Sequence, residues 1–444
     1  MRMRKGLILS ALFLSISQGV NASAFYENQS VEEHKAKSSS LAGTKLIFSN
    51  NYAFAVLKKD GTVLTWGDAK FGGDASQVQD QLNEVSSIYS NLNGFAAIKV
   101  DGSVVTWGNG LAVETSNVQA IKTTARAFAA LKNDGTVVTW GSAYSGGDTE
   151  LVQNQLTQVK SISATDSAFA ALRQDGTVVT WESPIGRQNY GGDSSQVQDQ
   201  LHSVQSIAST EGAFAALRQD GTVVTWGNKQ HGADSSQVGG ELNNVKSLYS
   251  TGYTFAALKY DGTVVTWGRN KYQGRNAYGG DSSDVQYMLN QVESIYTTEY
   301  AFAALRKDGT VVSWGENSTY DLSDIHQQLN QVQQVISSRH AFAALKKDGS
   351  VVTWGSYNFG GTSDYVQGNL KQIQSLYATK NAFAAIKSDG ELIIWGGGYR
   401  DENKLIINNV EKVASSEEGF AITKRDGSVF VAKCNEYVCT TFNP

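Results

Sequence analysis

The residue types that usually carry chemistry are sparse in this chain and poorly spaced for it. The five histidines, His34, His202, His231, His326 and His340, show neither an HExxH pair nor any other paired ligand spacing. Cys434 and Cys439 stand together near the end and have no histidine beside them, which makes half of a zinc ligand set at most. No GxxxxGK[ST] segment is present, and Gly108-Asn109-Gly110 lacks the third glycine and following helix of a dinucleotide loop. The acids that stand out belong to Asp-Gly pairs, where aspartate is a turn former. Neither a metal nor an organic cofactor is therefore expected.

Tyrosine and arginine are a different matter, because they collect in segments that otherwise vary. Residues 182–190 read ESPIGRQNY and residues 269–278 read RNKYQGRNAY. The candidate partner-binding residues from such segments are Tyr144, Arg187, Tyr190, His231, Lys271, Tyr272, Arg275 and Tyr278. Tyr300, Arg339 and His340 join them from short turns, beside Arg126, Tyr253 and Lys380. Tyr and Arg are enriched at the energetic centres of protein interfaces, and tyrosine also stacks on sugars. A protein partner is the leading expectation and a glycan the alternative. A hydrolase assembled from distant loops is the less favoured third.

What must position these residues is a repeat. AFAALRKDGTVVSWG at 301–315 recurs with little change, and its Asp-Gly pair ends at Gly61, Gly102, Gly135, Gly176, Gly221, Gly262, Gly309, Gly349, Gly390 and Gly427. A period near forty residues marks a repeat architecture. Asp-Gly between apolar runs predicts a hairpin with a type I′ turn. Apolar residues on both parities predict a sheet covered on both faces. A further strand is expected before each hairpin. After each Trp-Gly, segments such as GGDSSQVQDQL predict a short helix capped by Asp193, with Val197, Leu201 and Val204 as its apolar stripe. All nine tryptophans occupy one repeat position, which predicts packing between units.

The string LKxDGTVxxWG, preceded by a strand and followed by a Gly-rich loop, resembles the repeat of the regulator of chromosome condensation family. The shorter unit looks closer to bacterial members such as the beta-lactamase inhibitory protein of the second type. The resemblance implies an all-β fold, a β-propeller of about ten three-stranded repeats closed as nine or ten blades, each with a short helical segment between blades. Family repeats usually carry Gly-x-x-His-Ser where this chain has variable residues and AFAAL, and Gly-Gln-Leu-Gly where it has Gly-Gly-Asp-Ser-Ser. Nucleotide exchange on a small GTPase, the activity of eukaryotic members, is a lesser alternative.

Four segments follow. Residues 1–24 read as a secretory signal peptide, with Arg2, Arg4 and Lys5 before an apolar run too short to span a bilayer. Residues 25–43 are a polar flexible leader, 44–432 the propeller, and 433–444 a tail in which Cys434 and Cys439 form a local disulfide in an oxidising compartment. The full chain carries a net charge of −5, and losing the signal removes only positive charge. That balance argues against nucleic-acid binding, which needs a basic surface. The expectation is an exported, non-enzymatic scaffold, periplasmic or secreted, that binds a macromolecule through one loop face.

Overall fold

A computed structural model describes residues 44–50, 52–182, 189–272, 275–276, 278–315, 323–398, 404–415, 419–434 and 439–442. The expected signal peptide and leader lie outside these residues. Ten antiparallel sheets follow one another along the chain, over residues 44–67, 85–108, 118–141, 159–182, 204–227, 245–268, 292–315, 332–355, 373–407 and 410–442. We number these blades 1 to 10. Each is a meander of three strands, and blades 9 and 10 add a fourth, Leu405–Ile407 and Cys439–Phe442. The first strand of every blade neighbours the first strand of the next, and that of blade 1 meets the first two strands of blade 10. The array is therefore a closed ring of ten blades with the first strands innermost.

Blade 7 shows why these residues stack. Its middle strand, Ala301–Arg306, is buried on both faces. Phe302, stacked on Trp314 at 5.1 Å, packs with Ala304 and Val312 against Ala256 and Leu258 of blade 6. Ala301, Ala303 and Leu305 receive Phe342 and Trp354 of blade 8. Large rings on one face thus meet alanines on the next, and the alanines allow the sheets to approach. Replacing Phe302 by Ala should cost about 3–5 kcal/mol through loss of apolar burial and the cavity left behind.

The tryptophans also tie blades together. Trp181, Trp226, Trp267, Trp314 and Trp395 donate from Nε1 to a glycine carbonyl in the loop leaving the preceding blade, at 2.8–3.1 Å. Trp140 follows the abbreviated connection between blades 2 and 3, and its buried Nε1 has no partner. The seam between blades 10 and 1 is thinner than the other contacts. There Val56 meets Val431 and the partly buried Trp66, and Lys433 lies over the Phe54 ring, while Ala432, standing where tryptophan is usual, packs on the other side against Ala382 and Ala384 of blade 9. Cys434 and Cys439, which end and begin the two strands of the last hairpin, form a disulfide across its turn end.

Two local expectations are corrected. Positive φ falls on the glycine of each Asp-Gly pair and not on the aspartate. In blade 7, Gly309 N donates to Arg306 O, Arg306 N donates to Thr310 O, and Asp308 Oδ1 accepts from Thr310 N and Oγ1. The result is a type I turn closed by a left-handed glycine, because the carboxylate reaches two residues ahead and leaves Asp308 at negative φ. The segment after Asp193 is only a 3-10 turn, Gln198–Gln200, and Val204 already opens the next strand. Asp193 caps a local turn by accepting from Ser195 N, while Gln198 reaches back to Val178 O.

Candidate functional site

The strands run so that the turn between the first two strands and the loop after the third emerge at one end of each blade. The Asp-Gly turns emerge at the other. At the loop end, three register positions of the repeat form concentric series around the mouth of the ring.

The innermost series is joined by the backbone itself. Leu92 N donates to Ala125 O, Ala125 N to Asp166 O, Asp166 N to Glu211 O, and Glu211 N to Gly252 O. Gly252 N then donates to Glu299 O, Glu299 N to Arg339 O, and Arg339 N to Lys380 O, all at 2.8–3.0 Å. This chain of peptide groups runs from blade 2 to blade 9 and holds one residue per blade at the rim.

The second series lies one residue later and includes Tyr253, Tyr300 and His340. The third is the residue before the first glycine of each outer loop and includes Tyr190, His231, Tyr278 and Phe359. A buried hydroxyl clamps each of the latter by donating to its carbonyl: Thr165 to Tyr190 O, Thr210 to His231 O, Thr254 to Tyr278 O and Ser338 to Phe359 O, at 2.7–3.0 Å. Thr165, Thr210 and Ser338 also begin the turn that carries the rim residue, so both variable segments hang from one anchor, whereas in blade 6 that position is Thr251, bonded to the hydroxyl of Thr254.

The rings of the two outer series touch in an unbroken arc. Tyr190 meets His231 at 6.5 Å, His231 meets Tyr253 at 4.7 Å, and Tyr253 meets both Tyr278 and Tyr300 at 4.9 and 5.8 Å. Tyr300 meets His340 at 5.1 Å, and His340 meets Phe359 at 4.5 Å. The Arg269 guanidinium lies over the rings of Tyr253 and Tyr278 at 5.4 and 4.7 Å. Gly212 makes room for the arc, since a Cβ there would stand 2.9 Å from His231 Nδ1.

Carboxylates line the inner side of this arc. Glu299 is bonded by Arg339 through Nε and Nη2, and His340 Nε2 is 3.6 Å away. Glu211 is only 5% exposed. Asp166 is half-buried, and burial together with the Glu299 charge raises its affinity for a proton to about 7. Burial, then the hydrogen bond to Glu299 and its charge, keep the Tyr300 hydroxyl protonated well above its usual range. Burial and the Arg269 charge lower His231 to about 4, so it is neutral at physiological pH, and its Nδ1 is buried without a partner. Burial is also the main cause of the raised Tyr190 phenol, with the charges of Asp166, Glu211 and Glu182 adding to it.

Of the residues singled out in the sequence, Tyr190, His231, Tyr278, Tyr300, Arg339 and His340 come together here. Tyr144 does not join them; it projects from the loop after blade 3, 67% exposed. Arg187 lies outside the described residues, and of Lys271, Tyr272 and Arg275 only the backbone is described, as a two-residue strand pair. Asp166, Glu211 and Glu299 escaped sequence reasoning. Their signal is a shared register two residues before the Ala or Thr that opens each second strand, visible once the turns TDSAF, TEGAF and TEYAF are aligned. Among the described residues, no group of three His, Cys, Asp or Glu is arranged to hold a metal.

No protein-family model and no curated protein matches the chain. Solved structures do match. Prp20p from Saccharomyces cerevisiae, a yeast RCC1 described for its binding to Gsp1p and histones, is 18% identical over 60% of this chain and 80% of its own, with a TM-score of 0.32. The computationally designed Ika8 protein is 17% identical over 72% and 98%, TM-score 0.31. The CRINKLY WD40 ectodomain of the Arabidopsis thaliana receptor kinase ACR4 is 16% identical over 61% and 90%, TM-score 0.31. The chain is similar to these proteins, and scores of this size carry no conclusion about its activity or partner.

Proposed function

We propose that the protein is an exported, non-enzymatic scaffold that binds another protein through the loop face at the mouth of the ring. The observation that carries this reading is the arc from Tyr190 to Phe359, seven rings from five blades in continuous contact. These loops differ from blade to blade, as one composite surface requires and a multivalent lectin does not. Large rings held by buried clamps present contact area with little ordering entropy left to lose, which suits a protein interface. Export rests on the basic and apolar character of residues 1–24.

The test is a pull-down with the wild type beside Tyr190→Ala/Tyr278→Ala/Tyr300→Ala. A protein retained by the first and lost by the second supports the reading, and equal retention by both overturns it. One observation favours a second, hydrolytic reading: the Asp166 carboxyl near 7 beside the Glu299 charge is suited to general acid catalysis. Turnover of a chromogenic glycoside or ester that Asp166→Asn abolishes would replace the scaffold reading.

A further inference from the structure

We infer that the slot between blades 10 and 1 is the seat of the protein's own N-terminal segment, residues 25–43, with Leu41 as its apolar anchor. Both walls of this slot carry positions that are buried almost throughout the rest of the ring. On blade 1, Phe54 and Trp66 stack at 5.2 Å, yet both are only half-buried. The corresponding phenylalanines of the other nine blades are 0–2% exposed, and the corresponding tryptophans of blades 2 to 9 are 0–5% exposed. On blade 10, Ala421, Thr423 and Val429 are likewise half-buried, where blade 7 has Ala303, Leu305 and Val311 at 0–8%.

What fills this layer at the other seams is the chain just ahead of each first strand. In blades 2 and 4 to 9 a leucine three residues before the strand, such as Leu82, Leu201 or Leu289, is at most 3% exposed. Leu82 packs with Phe95 and Trp107 of the blade it precedes and with Ala53, Ala55 and Leu57 of the blade before. The residue directly before the strand has a φ of 53–62° in every blade from 2 to 10, Glu84 and Gln291 among them. The first strand of blade 1 opens at Thr44, which pairs with Lys58 as Val85 pairs with Lys99 in blade 2. Three residues before Thr44 stands Leu41, and directly before it stands Gly43. The sequence thus repeats the anchor at its required spacing. It also supplies, at the left-handed position, the residue type that adopts it without steric cost.

Covalent continuity favours this occupant over any separate chain. Leu41 is tethered three residues from the strand that borders the slot, which places it there at an effective concentration of about millimolar or more. The tenth seam is then closed by the start of the chain, as the other nine are closed by connecting loops, and the propeller begins ahead of Thr44. The inference is independent of the scaffold reading, because it draws on the contact between blades and not on the aromatic arc.

Hydrogen exchange of the whole protein, read by mass spectrometry, tests the seat directly. The amides of residues 38–43 should exchange at least about tenfold more slowly than in a free peptide of the same sequence. Leu41→Asp should return them to the free rate, and Leu41→Met should keep the protection. Exchange at the free rate in the wild type would overturn the inference without any variant. Acrylamide quenching reads the other wall. Trp66 is the half-buried member of the nine tryptophans, so Leu41→Asp should expose one fluorophore in nine with circular dichroism unchanged. That increment should vanish in a Trp66→Phe background. No increment, or one that survives Trp66→Phe, would also overturn the seat. Light scattering separates the remaining occupants. A dimer that shields Trp66 while residues 38–43 exchange freely would replace the segment by a second copy. A monomer with free exchange and a quenchable Trp66 would leave the slot to another protein, and the inference would fall.

Discussion

Asp166→Asn should stabilise the protein at alkaline pH and leave it unchanged near pH 4. The carboxyl ordinarily titrates at 3.8 and in the folded protein at about 7, the difference coming first from burial and then from Glu299. Folded protein thus holds the proton more tightly than unfolded chain. Between those two values it carries more protons, and stability falls as pH rises through the window. Below the lower value both states are protonated and the site costs nothing. Above the upper value the full cost is present. Three pH units at 1.36 kcal/mol each set a ceiling of about 4 kcal/mol. Partial exposure and local relaxation reduce this to about 2–4 kcal/mol. With an unfolding entropy of about 2.1 cal/mol/K per residue over roughly 400 residues, that is about 2–5 °C in Tm if the ring melts as a unit. Scanning calorimetry of wild type and variant at pH 4.5, 6, 7 and 8.5 reads the difference. Curves that stay parallel across pH, or a variant less stable at pH 8.5, would refute the placement of the Asp166 carboxyl in a half-buried site beside the Glu299 charge.

Three further outcomes follow from the packing. Trp181→Phe should lower the unfolding free energy read from urea titration more than Trp140→Phe, by about 1–2 kcal/mol, because Trp181 Nε1 satisfies Gly146 O while Trp140 Nε1 bonds nothing. Val431→Asp should open the ring at its thin seam, raising the radius of gyration in solution scattering with circular dichroism unchanged. The same charge at Ala170, which is fully buried in a regular contact, should abolish folding. Arg339→Met should cost about 3 kcal/mol in denaturant unfolding by stranding Glu299, and Arg339→Lys should recover part of it.

How much of this was legible in the residues varies with range. Ten Asp-Gly pairs counted the blades, and the shared Phe, Ala and Trp positions named the faces that stack, because each contact recurs at a constant offset from one repeat to the next. The turn type was misread, since a dipeptide does not reveal that the aspartate would spend its carboxylate on Thr310 or its equivalents. The arc was half legible. Tyr190, Tyr278 and Tyr300 stood out as aromatics in variable loops, but Asp166, Glu211 and Glu299 each looked like one more solvated turn residue.

Sequence by itself determined the blade, its order and its packing faces, because these depend on contacts within one repeat or between neighbours. Only the tertiary structure decided that the array closes, and hence that residues 133 positions apart, such as Asp166 and Glu299, influence each other's charge. Closure is the sum of small rotations at ten interfaces, and no single repeat encodes that sum. The mouth, with its rim carboxylates and its aromatic arc, exists because the sum comes to a full circle.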